Sequence, residues 1–227
     1  MKKVQLNIEG VVNLLQSVSN SPPRYERKSR FRRGQEAFIV PILKAYGFIS
    51  EYPDRFINSI YFDTYDLDFA KANINGDRFR FKPRIRWYNS SKKRQLEFKF
   101  RDGFNGYKLN YNLPSDVGGA IYYANKKIKK ETGLSLNPVV KVSYHRSYYI
   151  HSNGIRLTVD TGINAHRVDS DEYSNIVNLD FEVVEFKYES QLDDQFRYIY
   201  NSMVDYIPLR LTKSSKYVES MLTTQDV

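Results

Sequence analysis

The chain has 227 residues, of which 41% are hydrophobic and 27% charged, with a net charge of +9 and no cysteine. That balance excludes a disordered chain and allows a sizeable core. The missing cysteine excludes disulfides, thiolate-bound zinc and thiol chemistry. A basic excess points to an anionic partner without naming it, so nucleic acid, an acidic membrane surface and polyphosphate all stay open. Residues 1–17 lack the apolar run of a signal peptide, and no stretch reaches the ~20 apolar residues of a membrane span. A soluble, cytoplasmic protein is expected, with any membrane attachment supplied by a partner.

In chain order, residues 1–20 read as a helical extension, closed by the breaker cluster Asn20–Pro23. A single domain then covers 21–227. A strand is expected over 24–31 and a helix over 34–46, with Pro41 predicting a kink or early stop. A strand follows at 56–62 and a short helix at 65–73, where Asp63, Asp66 and Asp68 read as turn and helix-start caps. Alternating segments at 77–88, 94–101 and 106–113 are separated by turn residues. A helix at 117–132 ends on Gly133. Strands are predicted at 139–150, 155–161, 164–167, 179–188 and 208–211, and helices at 191–205 and 214–222.

About eight strands joined by tight turns, with peripheral helices, predict a mainly β α+β fold. The expected architecture is a closed antiparallel eight-stranded tunnel barrel. Strand side chains alternate faces, so Arg78, Arg80, Lys82, Arg84 and Arg86 share one face, and Phe79, Phe81, Ile85 and Trp87 the other. Pro83 predicts a bulge or an edge position within that strand. Segments 96–101, 155–160 and 181–188 also place their charged residues together. On one strand, such a face simply meets water. On several strands whose other faces are apolar and open to helices, it lines a wet lumen. Like charges gathered there call for an anion between them.

The strings Arg24-Tyr25-Glu26-Arg27-Lys28, Ser59-Ile60-Tyr61-Phe62-Asp63-Thr64, Arg84-Ile85-Arg86-Trp87-Tyr88, Leu96-Glu97-Phe98-Lys99, Gly106-Tyr107-Lys108, Tyr144-His145-Arg146, Arg156-Leu157-Thr158-Val159-Asp160, Val184-Glu185-Phe186-Lys187 and Lys213-Ser214-Ser215-Lys216 follow one another in order. In that order they resemble the VTC domain, the polyphosphate-polymerase branch of the triphosphate tunnel metalloenzymes. The resemblance implies ATP-dependent, metal-dependent transfer of a γ-phosphate onto a polyphosphate chain. It implies Arg84, Arg86, Lys99, Arg146, Arg156 and Lys187 as catalytic cations, and Lys28, Lys108, Lys213 and Lys216 as phosphate-binding ones. Glu185 would hold Mn²⁺ or Mg²⁺, with Glu26 and Glu97 as helpers. For Glu26 and Glu97, pairing with a neighbouring cation competes with a metal role. Ser214 is expected to cap the helix that follows Lys213.

The broader superfamily opens with Glu-x-Glu-x-Lys, and here Arg24 replaces the first carboxylate, which favours the polymerase branch. A hydrolase of tripolyphosphate or polyphosphate and a non-catalytic polyphosphate-binding module remain alternatives. A nucleic-acid-binding barrel would place aromatics beside the basic residues, whereas alternation puts them opposite, so no nucleic acid is expected.

Overall fold

The computed structural model describes residues 24–103, 105–168 and 176–225, so the expected N-terminal extension lies outside the described residues. Five helices and ten strands are present among them. The strands are β1 (Arg24–Arg32), β2 (Ile49–Asp63), β3 (Phe79–Tyr88), β4 (Arg94–Asp102), β5 (Asn105–Leu113), β6 (Asn137–Ile150), β7 (Arg156–Arg167), β8 (Val177–Asn178), β9 (Phe181–Glu189) and β10 (Arg210–Leu211). The helices are α1 (Glu36–Ala45), α2 (Asp68–Asn75), α3 (Val117–Thr132), α4 (Asp193–Val204) and α5 (Lys216–Gln225).

All pairings are antiparallel, in the order β10-β1-β9-β7-β6-β2-β3-β4-β5, with β8 beside β7. The sheet is therefore open, which corrects the expected closed eight-stranded barrel. Its free edges are β5 and the two-residue β10. The physical reason lies in what joins them. Side chains bridge β4 and β1 across the lumen, where Lys99 Nζ meets Glu26 at 3.0 Å, and no backbone ladder forms between β5 and β10. Sequence alternation reports a two-faced strand, whichever neighbour it has.

Three further expectations change. β2 begins at Ile49, not near 56, because its largely exposed first half is held by β6 and carries no apolar alternation of its own. The strands expected at 155–161 and 164–167 are one strand, β7, carried through Gly162 at φ +59°. Pro83 sits in register opposite Phe98 with no bulge; pairing between β2 and β3 ends at Tyr61–Arg84, so the proline occupies an edge where its missing N–H costs nothing. Pro41 lies within α1, which continues to Ala45.

The apolar strand faces are covered from outside. α3 lays Ala120, Ala124 and Ile128 onto Phe81, Ile85, Leu96, Phe98 and Phe100 of β3 and β4. α1 and α4 cover Leu157, Val159, Val184 and Phe186 of β7 and β9 with Ile39, Leu43, Phe196 and Met203. A third cluster is internal: Tyr217, Val218 and Met221 of α5 pack on Val140, Val142, Ile163, Phe181 and Val183. The helix thus plugs part of the inner face with apolar contact and leaves the rest of the lumen polar. Each buried side chain of this size contributes ~1.5–3 kcal/mol, so α5 is fixed where its first turn meets the cations.

Candidate phosphate-binding tunnel

The curl of the sheet turns the charged faces of β1, β3, β4, β6 and β9 toward a common cavity of about 650 Å³. Its walls include Glu26, Lys28, Tyr61, Arg84, Arg86, Lys99, Tyr144, Arg146, Glu185, Lys187, Lys213 and Lys216. A second depression of about 730 Å³, lined by Tyr46, His151 and Tyr198 between α1 and α4, is larger. It gathers no Arg or Lys, so the first is the candidate site.

Four carboxylates organise the cations. Glu97, on β4, accepts Arg84 Nη2 at 2.6 Å and Lys108 Nζ at 2.6 Å, with Arg86 at 3.9 Å. Burial works to raise its pKa, but Arg84, Arg86 and Lys108 outweigh it and hold Glu97 down at about 2. Asp160, on β7, takes two parallel hydrogen bonds from Arg146 at 2.6 and 2.7 Å and an ion pair from Lys216. Burial opposes its ionisation and those two cations win, so it too is held low. Bidentate geometry of this kind fixes the guanidinium plane. Glu26 binds Lys99.

Glu185 differs. It is buried, and Lys28, Lys187 and Arg146 surround it at 3.8, 3.8 and 3.9 Å, beyond hydrogen-bonding reach. Burial is again outweighed, here by Lys187, Lys28, Lys99 and Arg146, so it stays ionised. No group of three or more His, Cys, Asp or Glu side chains suited to a metal occurs among the described residues. The donor set suits an ion that arrives with phosphate oxygens: Glu185 is ionised with no close donor among the described residues, and Glu26 lies near enough for their charges to interact. Magnesium-type sites commonly use one or two carboxylates and complete the shell with substrate phosphate. Glu97 fits less well, since both its oxygens are in close ion pairs.

Lysine charge is tuned in both directions. Burial first, with help from Lys28 and Lys187 and against Glu26 and Glu185, lowers Lys99 to about 8. Burial and the cations Lys28, Lys99, Arg80 and Arg84 push Lys82 well down. Glu185 above all raises Lys28, against burial.

Arg84, Arg86, Lys99, Arg146, Lys187, Lys28, Lys213 and Lys216 are brought together on the lumen, whereas Lys108 is not among its lining residues and pairs with Glu97 beside it. Arg156 is not: its exposed side chain pairs with Glu51 at 3.4 Å at the end of β7. Ser214 does not cap α5; its hydroxyl is buried without a partner. Ser215 begins the helix instead, its carbonyl accepting from Glu219 N at 3.0 Å and its Oγ accepting from Lys82 Nζ at 2.8 Å. Lys141 points away, its ammonium 5.9 Å from the Trp87 ring centroid, as strand parity predicts.

Several partners escaped the sequence reading. Tyr61 and Tyr144 hydroxyls accept from Arg84 and Arg86 at 3.1 and 3.2 Å, and Ser59 Oγ accepts from Arg86 Nε at 3.1 Å. Asp160 anchors two cations at once. For Tyr144 the available signal is its parity with Arg146 on β6; Tyr61 and Ser59 lie on β2 and meet Arg84 and Arg86 only through the β2–β3 register.

Fold and site together define a curled antiparallel sheet whose cation-lined lumen is shaped to hold an anion. The chain belongs to the VTC domain family, which matches residues 23–225. Among solved structures it is similar to a Hippeastrum protein with a dominant triphosphatase activity, at 13% identity, covering 88% of this chain and 97% of that one with a TM-score of 0.56. It is also similar to two Pyrococcus horikoshii proteins. One is 15% identical with a TM-score of 0.52, covering 87% of this chain and 99% of that one. The other is 15% identical with a TM-score of 0.50, covering 89% and 98%. At these identities the likeness concerns the fold. No curated protein matches the sequence.

Proposed function

We propose that this chain is a metal-dependent polyphosphate polymerase that transfers the γ-phosphate of ATP onto a growing polyphosphate chain within the tunnel. The observation that carries the reading is the charge balance of the lumen. Cations from β1, β3, β4, β6, β9 and α5 face one cavity, and they outnumber the carboxylates Glu26, Glu97, Asp160 and Glu185 in and around it. An occupant with several negative charges along a line meets that excess. Membership of the VTC domain family supports the same class of substrate.

In the reaction, an ionised oxygen of the acceptor's terminal phosphate attacks the γ-phosphorus. The bond from that phosphorus to the β–γ bridging oxygen breaks, and ADP leaves with the electron pair. The attacking oxygen carries no proton, so no strong general base is needed, and catalysis becomes alignment and charge neutralisation. Arg84, fixed by Glu97 and Tyr61, and Arg146, fixed by Asp160, present preoriented guanidinium groups for this. Lys28 and Lys187 flank Glu185 and place further charge on the path. Mn²⁺ or Mg²⁺, held by Glu185 with Glu26, would supply neutralisation of phosphate oxygens. Glu97 serves better as the anchor of Arg84 and Lys108 than as a metal ligand.

The test is incubation of the purified protein with ATP and Mn²⁺. The expected result is ADP release together with a ladder of polyphosphate on a gel. Phosphate release from tripolyphosphate without chain growth would move the assignment to a hydrolase. Tight binding of polyphosphate without ATP turnover would move it to a binding module. Among the described residues, no helix is long and apolar enough to cross a membrane.

A further inference from the structure

Among the described residues, most lumen cations have a carboxylate; Lys213 does not, and neither does one cluster on β3 and β4. Arg80 and Lys82 of β3 lie on the same inward face as Arg84, and Arg101 of β4 faces the lumen beside them. The sheet register sets Arg80 directly opposite Arg101, and Lys82 directly opposite Lys99. Lys99 in turn stands opposite Lys108 on β5. Like charges placed face to face across an antiparallel pair destabilise the sheet.

Neither Arg80, Lys82 nor Arg101 forms an ion pair with a carboxylate among the described residues. Lys82 donates to Ser215 Oγ and Arg101 to the Gly103 carbonyl, both neutral acceptors. Arg80 Nε is buried without a hydrogen-bond partner among the described residues. Asp77 offsets the charge of Arg80 by less than burial and Arg101 oppose it. A sheet that places cations in opposed register, partly buried and uncompensated, is completed by an anion that the chain itself does not supply.

We infer that Arg80, Lys82 and Arg101 form a carboxylate-free subsite toward the β4–β5 turn, which binds the part of a linear phosphate chain extending beyond the triphosphate at Arg84, Arg146 and Glu185. The inference rests on the proposed function and deepens it, because it makes the tunnel selective for chain length. The two stretches of lumen divide the work. Where carboxylates alternate with cations, guanidinium groups are oriented and a metal can be held, as reacting phosphates require. Where cations stand alone, there is attraction without a metal ligand, which suits an unreactive chain that must slide. Single-stranded nucleic acid has the same charge sign, but its bases need aromatic faces, and the aromatics Phe79 and Phe81 here pack on the outer side of these strands.

The test compares binding of tripolyphosphate and of a long linear polyphosphate by calorimetry, each with Mn²⁺ and without ATP. It uses the full chain and its Arg80→Gln/Arg101→Gln and Lys82→Met variants. The wild type is expected to bind the long chain about tenfold or more tightly than tripolyphosphate. Both variants should keep tripolyphosphate affinity and lose most of that preference. Retained tripolyphosphate affinity also shows that they are folded. The subsite is overturned if the preference for the long chain survives in both variants, or if both ligands weaken equally. It is overturned as well if a single-stranded oligonucleotide displaces the long chain as effectively as polyphosphate does. A wild type that binds neither linear phosphate overturns the proposed function together with the subsite, which separates the two failures.

Discussion

At the scale of single residues, the tunnel is a set of charges whose protonation depends on neighbours. Lys99 is the clearest case, because its ammonium titrates near 8 while an unfolded lysine titrates near 10.5. Between those values the unfolded chain binds the proton more tightly than the folded one, so stability rises with pH through that window. Below it, the charged ammonium is a constant cost to the fold. Phosphate binding runs the other way, since it needs the charge. Metal-free affinity for tripolyphosphate is expected to fall between about pH 7 and 9, and Lys99→Met should flatten that profile, as read by calorimetry across the range.

Glu97 makes the opposite contribution. Its carboxyl titrates at about 2, so its stabilisation is present above the ordinary carboxylate range and is lost as pH falls toward that value. Removing its charge leaves Arg84 and Lys108 uncompensated. Glu97→Gln is expected to cost about 3 kcal/mol, the low end for breaking a buried pair, in urea unfolding at neutral pH. Saturating tripolyphosphate should recover part of that loss, because it replaces the missing countercharge. For the reaction itself, Arg84→Gln is expected to slow polyphosphate synthesis about 10²-fold, the usual effect of losing one preoriented donor. Glu185→Gln should abolish metal-dependent synthesis while leaving metal-free tripolyphosphate binding intact or tighter, since it removes a negative charge from the lumen.

At the scale of elements, Asp63 links the sheet to two helices. It ends β2, is fully buried, and accepts from Phe69 N and Ala70 N of α2 at 3.0 Å each. It also accepts from Thr64 N at 2.7 Å and from the hydroxyl of Tyr217 on α5. The capping role expected from sequence is thus present, and a tertiary one is added. Arg30 of β1 holds the same helix through Glu219 at 2.9 Å. Because α5 carries Lys216 into the cavity, loosening it should weaken phosphate binding without touching a phosphate-facing side chain. Asp63→Ala orphans several buried donors at ~1–3 kcal/mol each. It is expected to lower stability by at least about 2 kcal/mol, and thermal unfolding alongside calorimetry would register both effects. α3 shows the opposite economy. Asp116 caps it through Gly119 N at 2.5 Å, Gly133 ends it at φ +72°, and its boundaries follow the sequence signals.

At the scale of the whole molecule, the cations that prepare the tunnel for phosphate also work against its fold. Anion binding and folding are therefore coupled. Ligand at about 100 times its dissociation constant adds ~2.7 kcal/mol to stability. For a chain of this length that corresponds to a rise in Tm of roughly 5–10 °C. The rise should shrink with added salt, since screening weakens both the repulsion and its relief. A thermal shift unchanged between low and high salt would contradict this origin.

The sequence by itself determined the class of fold and the sign of each strand face. Period-two alternation in 79–87 and 96–101 is a local property, set by the pleat, and the structure keeps it, with basic residues inward and aromatic residues outward against α3, whereas Arg78, before β3, is exposed and pairs with Asp102. The ordered motifs determined the family and most of the lumen cations. Tertiary structure alone decided that the sheet stays open, that Arg156 turns to Glu51 at the rim, and that Glu97 is occupied by Arg84 and Lys108 while Glu185 has no close donor. It also decided that Arg80 faces Arg101. The reason is physical. Which face a side chain takes follows from its own strand, but whether a charge is paired, crowded or left unmet follows from register, and register belongs to two strands at once.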